Sequence, residues 1–165
     1  MHSDNAVPFP NRGVTVGGPV DEVGVSLSFY GKEDGEELDP DAITALLGVA
    51  PTMCCRRGDR LRSRSPPHLC GVWSLKVEPC SGTDAADAAL TKLLDQLPND
   101  PAVWPGLRTR YEMRFFFFVS FTDFNRGFAL SAQSIARAAV IGARMEFDLY
   151  ADDRYPPELD RILNS

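Results

Sequence analysis

Histidine is nearly absent from this chain: two residues in 165, His2 and His68. His2 lies in a Pro- and Gly-rich N-terminal stretch, so His68 is the one imidazole expected in an ordered body. The side chain most used for proton transfer near neutral pH is therefore almost missing. No Gly-x-Ser-x-Gly elbow, phosphate-binding glycine loop or H-E-x-x-H helix occurs either. Cys70 and His68 would stand on the same side of an extended strand, with no third group to orient a dyad. Asp39 and Asp41 are better explained by helix capping than by paired-acid chemistry. No catalytic residue is expected.

Long apolar runs are also lacking. The longest is "FFFFV" at 115–119, far short of the ~18–20 residues a membrane helix needs. The N-terminus has no basic segment followed by an apolar one, so no secretory signal is expected. The expected location is the cytoplasm, with Cys54, Cys55, Cys70 and Cys80 as reduced thiols. Metal-ligand spacing is missing as well. The adjacent pair Cys54-Cys55 and the pair His68-x-Cys70 are not the C-x(2–4)-C arrangement that brings two ligands to one zinc ion. No metal and no cofactor are expected, and the thiols read as small packed hydrophobes.

Positive charge is scarce except in one place. The net charge is −6, from 17 basic and 23 acidic side chains. Five of the basic ones, Arg56, Arg57, Arg60, Arg62 and Arg64, fall within nine residues; without them 12 remain against 23 acids, or −11. The body should repel nucleic acid, while one loop carries the opposite sign. Its arginines could clasp an anion, since guanidinium binds phosphate and carboxylate bidentately. They could equally meet nearby acids such as Glu33, Asp34, Glu36 and Glu37. The "RGD" at 57–59 reads as a turn with Gly58 at positive φ.

What the chain does have is alternation. Residues 1–20 carry no periodicity and read as an arm. Val23, Val25, Leu27 and Phe29 follow strand spacing. Asp39 and Pro40 open a helix whose apolar face is Ile43, Leu46 and Leu47, and Gly48 closes it. Val72, Trp73, Leu75 and Val77 mark a second strand. A second helix, capped by Ser81 or Thr83, buries Ala86, Leu90, Leu93, Leu94 and Leu97 and stops at Pro98. A loop at 99–107, with room for a short turn of helix, leads to a strand beginning near Arg108. There Tyr111, Met113, Phe115, Phe117, Val119 and Phe121 share one face, and Phe116 and Phe118 the other. Ser131 caps a third helix. In the last strand Met145, Phe147 and Leu149 oppose Arg144, Glu146, Asp148 and Tyr150. After Pro156 and Pro157, Leu159, Ile162 and Leu163 have the spacing of a short docked helix.

These elements imply an arm at 1–20, one domain over 21–151 and a tail at 152–165. Ser28-Phe29, Leu38 and Ile43 align with Ser120-Phe121, Leu130 and Ile135 at a constant offset, suggesting pseudo-duplicated βα units. The expected fold is an α+β two-layer sandwich. It has a mostly antiparallel sheet of about four or five strands with helices on one face, in the ferredoxin-like, split βαβ pattern.

The segments "LSFYGKEDGEELDPDAITALLGVAPT", "RRGD", "GVWSLKVE" and "GFALSAQSIARAAVIGARMEFDLY" together resemble a bacterial family catalogued as a domain of unknown function, number 4279. The resemblance spans about residues 22–150 and implies a small cytoplasmic α+β domain. It brings no activity, cofactor or catalytic residue.

Trp73, Trp104 and the phenylalanines of 115–121 read as core, with Phe116 and Phe118 the exceptions if one sheet face stays open. The expected function is a non-enzymatic interaction module, immunity-like or regulatory, that binds a protein partner. Its candidate contacts are Arg56, Arg57, Arg60, Arg62, Arg64 and Trp73. The immunity-like element is an analogy with acidic domains that neutralise basic toxins. The alternatives are an anion or nucleic-acid binder built on loop 56–64, and an enzyme whose site is of an unrecognised kind.

Overall fold

Two apolar stripes hold the sheet together. In the computed structural model, which describes residues 18–32, 37–60, 62, 64–122 and 126–151, strand β1 (Glu22–Gly31) lies between β3 (Val72–Lys76) and β4 (Tyr111–Phe121). It runs antiparallel to both. Leu27 is opposite Leu75 on one side and Phe115 on the other, and Phe29 is opposite Trp73 and Met113. A short β2 (Met53–Cys55) pairs antiparallel with β3, and β5 (Arg144–Ala151) pairs parallel with β4. The five-stranded mixed sheet has the order β2-β3-β1-β4-β5.

Because alternate residues point to opposite faces, the registers assign each side chain. Val23, Val25, Leu27, Phe29, Trp73, Leu75, Tyr111, Met113, Phe115, Phe117 and Val119 share a face and are all buried. The helices pack there. α1 (Pro40–Leu47) is tied to that side by Trp73 Nε1, which donates to Thr44 Oγ1 at 3.0 Å. α2 (Ala85–Leu94) buries Ala86, Ala89, Leu90, Leu93 and Leu94. Thr91 and Ser134 hydroxyls meet at 3.2 Å, joining α2 to α4 (Ala132–Ile141).

The caps follow local chemistry. Asp39 accepts from Asp41 N–H at 3.2 Å, Pro40 takes the first helical position and Gly48 ends α1 at φ 69°. Ser131 Oγ accepts from Ser134 N–H at 3.1 Å, and Gly142 ends α4 at φ 68°. A carboxylate from α2 joins this second cap: Asp87 Oδ1 accepts Ser131 N–H at 2.8 Å. That bond, beside the positive end of α4, holds the Asp87 carboxyl below the ordinary carboxylate range.

Several expectations need correcting. Leu46 is exposed, because Pro40, Ile43 and Leu47 define the buried side of α1 and Leu46 projects roughly a quarter turn away. α2 starts after Asp84, whose side chain makes no capping bond, rather than after Ser81 or Thr83. The strand expected near Arg108 begins at Tyr111, since Pro101–Val103 form a 3-10 turn that continues as α3 (Trp104–Arg110). Trp104 and Leu107, one turn apart, are both buried, and that packing outweighs strand propensity at 108–110. Lys32 Nζ secures the end of α3 by donating to the carbonyls of Arg108 and Thr109, at 3.3 and 2.7 Å. β2 was not anticipated, because three residues carry no periodicity.

The aligned βα units share their glycine stops but not their environments. Ile43 is 1% exposed and Ile135 48%. At the chain's start, Val20 is already buried and Pro19 bridges Gly127, so packing begins ahead of Asp21. The expected helix after Pro157, residues 1–17 of the arm, and Glu33, Asp34 and Glu36 lie outside the described residues.

The Asp87 bond has a measurable sign. A carboxyl with a lowered folded pKa contributes stability that is complete above its unfolded value, about 3.9, and is lost as pH falls through the folded value. Asp87→Asn should cost roughly 0.3–1 kcal/mol at pH 7 in urea unfolding. That difference should disappear in the acid range, leaving the variant with a flatter stability profile below about pH 4.

Candidate functional site

The arginine stretch is a folded hairpin end between β2 and β3. Gly58 N–H donates to the His68 carbonyl at 2.9 Å, and His68 N–H to the Asp59 carbonyl at 2.8 Å. Gly58 takes φ 88°, as the R-G-D turn requires. Asp59 Oδ2 accepts Arg56 N–H at 2.7 Å, closing the turn. Two of the five arginines serve the domain itself. Arg56 pairs with Asp39 at 2.7 Å and Asp41 at 2.6 Å, gripping the N-terminus of α1. Arg60 Nη1 donates to the Ser65 carbonyl at 2.7 Å. Arg57, Arg62 and Arg64 are exposed and form no ion pair among the described residues. The acids that Arg56 meets are thus the capping pair of α1.

Trp73 does not line a surface. It is fully buried, edge-on to Phe29 with ring centroids 5.3 Å apart, and its indole N–H is taken by Thr44. The same periodicity that made it a strand residue places it on the helix-covered face, so its proposed contact role is withdrawn. Trp104 is buried too, and borders a cavity of about 80 Å³ with Leu94, Leu97, Val140 and Ile141. That is well under the ~300–1,000 Å³ of small-molecule sites.

The thiols divide by burial. Cys55 and Cys80 are buried, Cys70 is half-buried and Cys54 exposed, and all four are free. Burial pushes the Cys55 thiol above its ordinary pKa. Among the described residues no cluster of His, Cys, Asp and Glu is arranged to hold a metal ion. His68 and Cys70 side chains share no hydrogen bond.

The second face of the sheet carries the other unusual chemistry. Gly24, Ser26 and Ser28 on β1 and Ser74 on β3 form a floor of small residues. Ser28 and Ser74 hydroxyls bond at 2.8 Å, so both are satisfied though buried. Larger side chains rise beside this floor. Phe118 meets Tyr150 of β5 with ring centroids 4.7 Å apart. Phe116 is 37% exposed. Arg114 lies over the Tyr30 ring at 5.0 Å and pairs with Glu112 at 2.9 Å and Glu146 at 3.4 Å. Tyr150 O–H donates to Asp148 Oδ2 at 2.6 Å, which raises the phenol's pKa. Strand alternation singles out Phe116 and Phe118 here; Tyr30, Arg114 and Tyr150 were missed. Their signal was present in the register: Tyr30 is two positions from Ser28 on the same face, and Arg114 two from Phe116.

The architecture defines an α+β domain with one layer of helices on a five-stranded mixed sheet. Within that class the chain belongs to the family described as Domain of unknown function (DUF4279), whose model matches residues 21–152. No curated protein and no solved structure matches it. Among the described residues no helix is long and apolar enough to cross a membrane.

Two outcomes follow from this geometry. Asp39→Ala should cost about 1 kcal/mol through the lost cap. Arg56→Ser should lower the urea midpoint at low salt and much less near 1 M salt, where surface pairs are screened. Separately, a maleimide titrated against the native chain should label Cys54 well before Cys55. Mass mapping of the labelled peptide reads the order, and equal rates would contradict the burial of Cys55.

Proposed function

We propose that this domain is a non-enzymatic interaction module that takes a protein partner on its open sheet face. The observation that carries the reading is the group Tyr30, Arg114, Phe116, Phe118 and Tyr150, gathered on the face opposite the helices. Aromatic residues and arginine are enriched where protein interfaces concentrate their binding energy. A floor of Gly24, Ser26 and Ser28 keeps this face low between its flanks and suits an inserted side chain or strand. The acidic body favours a basic partner by electrostatic steering. The strand order β4-β1-β3-β2, antiparallel at each step, supports reading these strands as a split βαβ core to which α4 and β5 are added.

Arg57, Arg62 and Arg64 favour a second reading, in which the hairpin end contacts an anion or nucleic acid. Co-purification from the source organism separates the two. Phe116→Asp with Phe118→Asp should remove a stoichiometric protein, weakening it about 30-fold or more if these are hot-spot residues near 2 kcal/mol. Serine at 57, 62 and 64 should leave that protein bound. If the serine variant instead loses bound nucleic acid while the aspartate variant loses nothing, the hairpin reading replaces the first.

A further inference from the structure

The two edges of the sheet are unlike. β2 closes one edge with three residues, whereas β5 lines the other with eight, containing neither Pro nor Gly. A long, regular edge presents a row of outward backbone N–H and C=O groups, and monomeric proteins usually shorten, bulge or cover such edges. The flank of β5 is also incompletely covered on the helical side. Phe147 is 43% exposed and Leu149 58%, although both point toward the layer that buries Phe117 and Val119. Phe147 stacks on Phe117 at 4.6 Å and on Phe128 at 5.7 Å, leaving an aromatic ledge at the margin of the core.

We infer that β5 pairs antiparallel with β5 of a second copy of this chain, about a twofold axis at Glu146. The charge order of the strand selects that register. With Glu146 at the axis, Arg144 lies opposite Asp148 of the second copy, and symmetry makes the pair twice. On the helical side Met145 lies opposite Phe147, a thioether–aromatic contact, and Leu149 reaches past the paired residues toward Ala143, which precedes β5 of the second copy. Directly opposed side chains interact at roughly 4.5–5.5 Å between Cβ atoms. Two glutamates meet at the axis, but each already has Arg114 at 3.4 Å and Arg144 of its own chain at 3.3 Å, so Arg144 would lie between that glutamate and the opposed Asp148. An axis at Phe147 would set Glu146 against Asp148 twice. An axis at Asp148 would oppose that residue to itself. An axis at Met145 would leave only three paired residues per strand. The Glu146 register is the longest that faces opposite charges. It would continue the sheet to ten strands and set the two open faces side by side. It does not depend on what those faces bind.

Equilibrium sedimentation of the full chain tests this. The expected mass is twice the 18.1 kDa of one chain. Arg144→Asp should halve it, and Arg144→Asp with Asp148→Arg should restore it, because the opposed pair is rebuilt with its signs exchanged. Circular dichroism checks that each variant is folded; if Arg144→Asp is not, Asp148→Arg alone is expected to give the single-chain mass and is read in its place. Leu149→Lys, which alters the apolar flank, should also give single chains. A wild-type chain that sediments as one copy at every soluble concentration overturns the inference. So does a dimer that survives Arg144→Asp, or a double variant that stays single. A single chain in which Phe147→Cys cross-links to residues 152–165 would assign the ledge to that segment, which also overturns it.

Discussion

Val25, Leu27 and Phe29 sit between Phe117, Phe115 and Met113 on one flank and, for the last two, Leu75 and Trp73 on the other, and the remaining elements depend on that placement. Strand side chains repeat every two residues, so a slip of one would turn this row to the open face and bring the serines inward. The row is buried along its whole length. Helices α1 and α2 then have a surface to cover, and Trp73, held by Thr44, ties α1 to the edge half of the sheet. The same register assigns Gly24, Ser26 and Ser28 to the other side, so core and open face are two readings of a single pairing.

Much of this was legible in the residues. Alternation located β1, β3, β4 and β5, and Asp39, Pro40 and Gly48 marked α1, because those signals act within a few positions. Ser131 did the same for the start of α4. What was hidden depends on neighbours distant in sequence. Arg108 to Arg110 read as strand because they precede one, and only the burial of Trp104 and Leu107 makes them helical. Leu46 belongs to an apolar pattern but not to the side that faces the sheet. Trp73 was a candidate contact as a large aromatic, although its strand position already directed it inward. Ile43 and Ile135 align in sequence and differ in exposure, because Ile43 shares the buried side of α1 with Pro40 and Leu47, whereas the buried side of α4 is Ser134, Ala138 and Ile141.

The arginine stretch shows how charge is shared between structure and surface. Asp39 and Asp41, which begin α1, also receive Arg56 across the hairpin. Asp39 therefore meets both a backbone N–H and a guanidinium, and the loop's first cation is taken up in joining β2 to the helix layer. Arg60 is turned back onto its own loop. A run of five like charges thus resolves into two that organise the hairpin and three that face outward. Composition could count these residues but could not divide them, because the division depends on which acids lie across the fold.

The placement of β1 also bears on the order in which the chain can fold. Ser28 and Ser74 are 46 positions apart, and the partners of β1 on β4 lie nearly twice as far along the chain. Made before both of its partners, β1 is consequently the strand that must wait longest for its second neighbour. Until β4 arrives, Val23, Val25, Leu27 and Phe29 have only β3 and α2 to shelter them. Loops of this length add to the entropic cost of closure, and topologies dominated by distant pairings fold slowly. Growth of the nascent chain through residues 111–121, rather than local helix formation, then sets the earliest moment at which β1 can be enclosed on both sides.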